Sequence, residues 1–164
     1  MRSPMKTLST PSAPTTRHRS TNTPSAVALP SPYVSATQTK AMMAGSLAAR
    51  MNRLEANDML STDGAADLVG TTRVTINAWI AKGRAIGLTQ MRRGFKLPSW
   101  QFEPAMWDAV PQLSKALDTR EGWALLTFLE TPLGALGGRT PRQAIEQGHL
   151  ARVVELAAVH AASI

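Results

Sequence analysis

The chain has 164 residues, is 43% hydrophobic, carries a net charge of +7 and contains no cysteine. That length accommodates one domain or two very small ones, and no run approaches the ~18 consecutive apolar residues of a membrane-spanning helix. The lack of cysteine excludes disulfides, thiolate nucleophiles and Cys-based zinc sites and fits a reducing cytoplasm.

The charge is unevenly placed. Residues 1–39 hold Arg2, Lys6, Arg17 and Arg19 and no acid. They are rich in Ser, Thr and Pro and poor in large apolar groups, so they cannot bury enough surface to offset their ordering entropy. The expectation is a disordered basic tail. Its basic, Ser-rich and acid-free composition also looks like that of a transit peptide. A translation start downstream, at Met42, Met43 or Met51, is a further reading.

Residues 40–58 contain good helix formers and no proline, with Met43, Leu47, Met51 and Leu54 at helical spacing. Such a stripe belongs to a core, a helix–helix seam or a dimer contact.

From Leu60 to Gly83 two short helices are expected around a glycine. Ser61 or Thr62 can cap the first, whose Ala65, Ala66, Leu68 and Val69 are small or apolar and admit a second helix closely. Gly70 supplies the positive φ of a tight turn, and Thr71 or Thr72 caps the second helix. Ile76, Trp79, Ile80 and Gly83 then mark a buried face, leaving Arg73, Thr75 and Asn77 on the other side. A recognition helix needs this arrangement: polar residues in its N-terminal turns reach base edges and phosphates, Arg bonding guanine and Asn adenine in bidentate fashion.

Residues 84–104 lose the helical period and contain Gly87, Gly94, Pro98 and Pro104, which suggests a two-stranded excursion or wing. Arg92 and Arg93 at its tip, with Lys96 close by, would face the DNA backbone. Residues 60–98 carry six basic residues against two acidic ones, a net +4 that attracts phosphate. The candidate DNA contacts are therefore Thr72, Arg73, Thr75, Asn77, Arg92, Arg93 and Lys96. The stretch resembles the helix-turn-helix plus wing of the MerR and excisionase type over about forty residues, through "VTINAWIAKG" and "RAIGLTQMRRGFKLPSWQF".

Helices are expected to resume at 105–118 and 121–130. Pro132, Gly134, Gly137 and Gly138 mark a loop, and Thr140-Pro141-Arg142-Gln143 has the form of a capping box with proline at the first helical position. Gly148 ends that helix, and a last one runs from about 150 to 162. The fold class is thus all-α, mainly helical: a disordered tail (1–39), a helix-turn-helix region with a short β wing (40–104) and a small C-terminal helical bundle (105–164).

That C-terminal stretch resembles the toxin-binding domain of the Xre/MbcA/ParS-type antitoxins. The residues that carry the resemblance are Phe128-Leu129, Pro132, Leu136-Gly137-Gly138-Arg139-Thr140-Pro141, Ala144-Ile145, Gly148, Val153-Val154 and Ala157. The family implies a chain that binds a RES-type toxin, blocks its access to NAD and represses the operon encoding the pair. On that reading Arg139, Glu146, Gln147, Arg152 and His160 are candidate toxin contacts. The winged module departs from the plain Xre helix-turn-helix, and residues 1–39 have no expected counterpart.

No Ser–His–acid set, catalytic carboxylate pair or phosphate-binding glycine loop is present, and His18, His149 and His160 are too scattered to hold a metal. The expectation is a non-enzymatic cytoplasmic protein, with no cofactor and no metal. Its partners would be double-stranded DNA, a toxin and a second copy of itself or a higher-order complex, with no membrane. Two alternatives remain: a stand-alone regulator whose C-terminal half only dimerises, and a protein-binding inhibitor without DNA affinity.

Overall fold

The computed structural model describes residue 12, residues 36–89 and residues 94–164. Most of the expected disordered tail, and Arg92 and Arg93, lie outside the described residues, but the last four residues assigned to that tail, 36–39, are helical and open the first helix. The compact part runs from Ala41 to Ile164 and is mainly helical, as its periodicity predicts.

Its first helix, α1 (Ala36–Leu54), ends four residues earlier than the expected 40–58 span. The chain then turns at Glu55–Asp58 and enters a strand, β1 (Met59–Ser61), which the sequence pattern does not predict. Next come α2 (Thr62–Val69), α3 (Arg73–Ala81), β2 (Leu88–Thr89) and β3 (Phe95–Pro98). The two-stranded excursion expected at 84–104 forms, and β1 joins it to make a three-stranded sheet with β3 in the middle. Met59 pairs with Pro98, Leu60 with Leu97 and Ser61 with Lys96 on one side; Leu88 pairs with Lys96 and Thr89 with Phe95 on the other, all antiparallel. A three-residue strand has too few residues for a period-2 pattern, and its partner is more than thirty residues away, so only pairing reveals it.

A 3₁₀ turn at Ser99–Phe102 leads to α4 (Pro104–Ala116), then α5 (Gly122–Glu130), a 3₁₀ turn at Gly134–Leu136, α6 (Pro141–Glu146) and α7 (Leu150–Ala162). Gln101, fully buried in that first turn, accepts from Ile86 N–H at 2.7 Å and donates to Ile86 C=O at 2.9 Å. It acts as a short substitute strand that satisfies a buried backbone. The capping box of α6 forms as its sequence predicts: Gln143 N–H donates to Thr140 Oγ1, and Thr140 N–H to Gln143 Oε1.

Two apolar clusters make the core. The smaller joins Ala65, Ala66, Ile76, Ile80, Ala85 and Leu97, with Trp79, Phe102 and Trp107 against it. The larger is formed by α4 to α7, with Ile86, Leu88 and Trp100. α4 serves both, giving Met106, Ala109, Val110 and Leu113 to the larger cluster and Trp107 to the smaller. The boundary expected at 104/105 therefore falls inside one compact unit.

Pro111 sits inside α4. It has no N–H, so the Trp107 carbonyl one turn earlier loses its helical donor. Arg84 replaces it: Nη1 donates to Trp107 O at 3.3 Å while the guanidinium lies 4.1 Å from the Trp107 ring centre. This contact welds the end of the helix pair to α4. Arg53 does the same for the end of α1. It donates to both carboxylate oxygens of Glu130 and of Asp58, at 2.6 to 3.2 Å.

Candidate nucleic-acid interface

The helix pair is built from local signals. Ser61 accepts from Gly64 N–H at 3.0 Å and starts α2. Gly70 ends it at φ 72°, ψ 39°, its N–H donating to Ala66 O. Thr72 caps α3 by accepting from Thr75 N–H at 3.3 Å. Ala65, Ile76 and Ile80 are buried between the helices, and Trp79 meets Trp107 edge-on at 5.0 Å between ring centres. Leu68 and Val69 do not join this seam, as their apolar character suggested. They are 58% and 36% exposed, because an eight-residue helix turns only half its circumference to its neighbour and Ala65 and Ala66 occupy that half.

With its back packed, α3 points its first two turns outward. Thr72, Arg73 and Asn77 are exposed, and Thr75 is half-buried. The Thr72 and Thr75 hydroxyls lie 3.0 Å apart and hydrogen-bond to each other, so they are oriented before any ligand arrives. Arg73 reaches Asp63 at only 3.7 Å, with both side chains more than 60% exposed. An exposed pair of this kind contributes little and yields to a phosphate. Lys96 lies half-buried at the centre of β3, in register with Ser61 and Leu88, and makes no ion pair among the described residues. It therefore sits beside the start of α2. Arg84 is engaged by Trp107 through its ring and its carbonyl.

Sequence reasoning missed Val74. It is 78% exposed between Arg73 and Thr75, a position where an apolar side chain can meet a thymine methyl. Its displacement by two residues from the buried Ile76 was the available signal.

The candidate partner residues fall into two places. Arg139, Glu146, Gln147 and Arg152 are exposed as expected, and each already has a partner. Arg139 donates to Gln147 and to Leu136 O; Glu146 accepts from Arg142 at 2.9 Å; Arg152 pairs with Glu155 at 2.9 Å. His160 instead packs its ring 5.8 Å from Phe128. There it helps line a groove of about 560 Å³, with Arg50, Trp123, Ala124, Leu133 and Ile164 among its walls. The Arg50 guanidinium lies 5.0 Å over the Trp123 ring.

Around Arg53 the electrostatics are structural. The hydrogen bonds that Arg53 donates to Glu130 and then to Asp58 push its guanidinium pKa further up. The Arg53 hydrogen bond holds the Asp58 carboxyl below the usual carboxylate range against the opposing effect of burial. Trp100 also contributes to that lowering, although its indole N–H has no partner at full bonding distance. No helix among the described residues is long and apolar enough to cross a membrane. Comparison with known proteins finds no matching family model, no matching curated sequence and no matching solved structure.

Proposed function

We propose that this chain is the antitoxin of a type II toxin–antitoxin pair, a cytoplasmic, non-enzymatic and cofactor-free regulator. It binds double-stranded DNA through α3 and β3 to repress its own operon, and it blocks a RES-type NAD-degrading toxin through its C-terminal helices. The observation that carries the DNA reading is the presentation of α3. Its apolar back is sealed against α2 and α4, its N-terminus is capped by Thr72, and Arg73, Val74 and Asn77 stand in solvent on the exposed side. The helix dipole favours a phosphate at that same end.

The toxin reading rests on the resemblance of residues 123–160 to the antitoxin family. The exposed Arg139, Glu146, Gln147 and Arg152 support it as an accessible polar set. His160 belongs to the α5 groove and contacts the toxin only if that groove does.

The test is co-expression of the full chain with the product of the neighbouring gene, alongside DNA selection from a random duplex pool. The expected result is a stable complex with a partner that depletes NAD when expressed alone, and an enriched duplex site. Arg73→Ala with Asn77→Ala should abolish site enrichment and leave toxin neutralisation intact. Loss of both functions with the fold preserved would sink the two-surface reading. Site enrichment without any partner would leave a stand-alone regulator.

A further inference from the structure

The open side of α3 continues past the end of the helix. Val74, Ala78 and Ala81 are exposed and, four and three residues apart, form one stripe along it. Lys82, the residue that caps α3, stands exposed at the far end of that stripe. It opens onto a groove of about 670 Å³ that Ser114, Lys115, Asp118, Arg120 and Glu121 also line. Lys82, Lys115 and Arg120 are exposed, and none of them makes an ion pair among the described residues. The two carboxylates do not match them. Both Glu121 oxygens are already engaged, accepting from Trp123 N–H at 3.0 Å and Ala124 N–H at 2.6 Å. Asp118 alone is left among the three cations.

The walls of this groove are fixed. A Cβ added at Gly83 would clash with Ser114 Oγ and lie 3.1 Å from Arg120 Cγ, so the end of α3 is seated directly on α4 and on the stem of Arg120. Ser114 Oγ donates to Thr119 O at 2.6 Å, and Thr119 Oγ1 accepts from Glu121 N–H at 3.1 Å. These bonds close the turn between α4 and α5. Cations carried on a frame that is already ordered bind an anion at a smaller entropic cost.

We propose that this groove holds the sugar–phosphate backbone of duplex DNA, at phosphates flanking the bases that α3 reads. The inference rests on the DNA reading of α3 and extends it to a second, sequence-independent contact made by Lys82, Lys115 and Arg120. Spacing selects this occupant. The nine residues of α3 span roughly 13 Å at 1.5 Å per residue, close to the ~12 Å width of the major groove. A helix whose first turn meets one wall of the major groove therefore brings Lys82 and its neighbours to the backbone at the other. Ala78 and Ala81 are short enough to let α3 lie close to the base edges, while the long cations stand at its end.

The test titrates the full chain with its selected duplex and with random duplex at several salt concentrations. Lys82→Gln, Lys115→Gln and Arg120→Gln keep the stems and remove the charges. Each should weaken both duplexes by the same factor and leave the preference between them unchanged. Together they should reduce the slope of log K against log salt by about 1.8 to 2.7, two or three phosphate contacts. Asp118→Asn should act in the opposite direction and tighten both duplexes several-fold. Asp118 takes φ 51°, a conformation that asparagine also adopts readily, so the turn is kept. Ethylation of phosphates flanking the selected bases should impair binding of the native chain and not of the triple variant. A triple variant with the native salt slope, or an Asp118→Asn chain that binds no tighter, would overturn the proposal and leave the DNA reading of α3 standing. A native chain that binds no duplex at any salt concentration would overturn both.

Discussion

At Gly70 the backbone takes φ 72° and ψ 39°, and the space around its Cα is empty. The cost of a side chain there is therefore conformational alone. Gly70→Ala should destabilise by about 1–2 kcal/mol, read as a shift of the urea midpoint, while the folded variant keeps its DNA affinity. A large loss of affinity at full folding would mean that the turn itself contacts DNA. Asp58 gives a second residue-scale prediction. Its pKa is lowered in the folded state, chiefly by Arg53. Its contribution to stability is thus present above the ordinary carboxylate range and is lost as pH falls through the lowered folded value. Asp58→Asn should be less stable than the native chain at neutral pH, and the gap should close as the solution is acidified through that window. A gap that stays constant down to the acid limit would show that the charge is not the cause.

Arg84 and Pro111 illustrate how elements are joined. The proline breaks one hydrogen bond inside α4, and an arginine from the end of the helix pair repairs it while stacking on the same tryptophan. A carbonyl left without a donor and a lost cation–π contact together make Arg84→Ala worth about 1–3 kcal/mol. Arg84→Lys should recover only part, because an ammonium cannot both stack on Trp107 and donate to its carbonyl in one plane. Thermal unfolding of the two variants checks this; equal losses would show that stacking geometry is irrelevant. The start of α5 is joined by close approach instead: a Cβ at Gly122 would lie 2.1 Å from Gly87 O, so no side chain fits there without moving backbone.

Across the whole molecule, charge and packing divide the labour. The basic excess near α3 should make DNA affinity salt-dependent, with log K falling linearly against log salt. Lys96→Ala should weaken binding to all duplexes and reduce that slope by about 0.9, one phosphate contact. Arg73→Ala should instead cost about 1–3 kcal/mol at a selected site relative to random duplex. Titrations at several salt concentrations separate the two, and an unchanged slope in Lys96→Ala would place the lysine away from the phosphates.

Local signals were legible wherever one short segment carries its own instructions. Gly70, Thr72, the Thr140–Gln143 box and the limits of α7 follow from capping chemistry and helical period, which neighbours in sequence decide. The outward side of α3 follows from the inward side, Ile76 and Ile80, by the same period. What the sequence could not decide was the partner of each face. β1 exists because β3 comes to lie beside it. Leu68 and Val69 are left in solvent because alanines fill the seam. One helix, α4, draws residues on both sides of 104/105 into one body because its two faces feed two clusters. The Met and Leu stripe of α1 had the spacing of a buried seam, yet Leu54 packs on the larger cluster while Met43, Leu47 and Met51 stand exposed. Periodicity tells which side of an element is apolar; only the tertiary structure tells what, if anything, covers it, because burial is a property of pairs of surfaces distant in sequence.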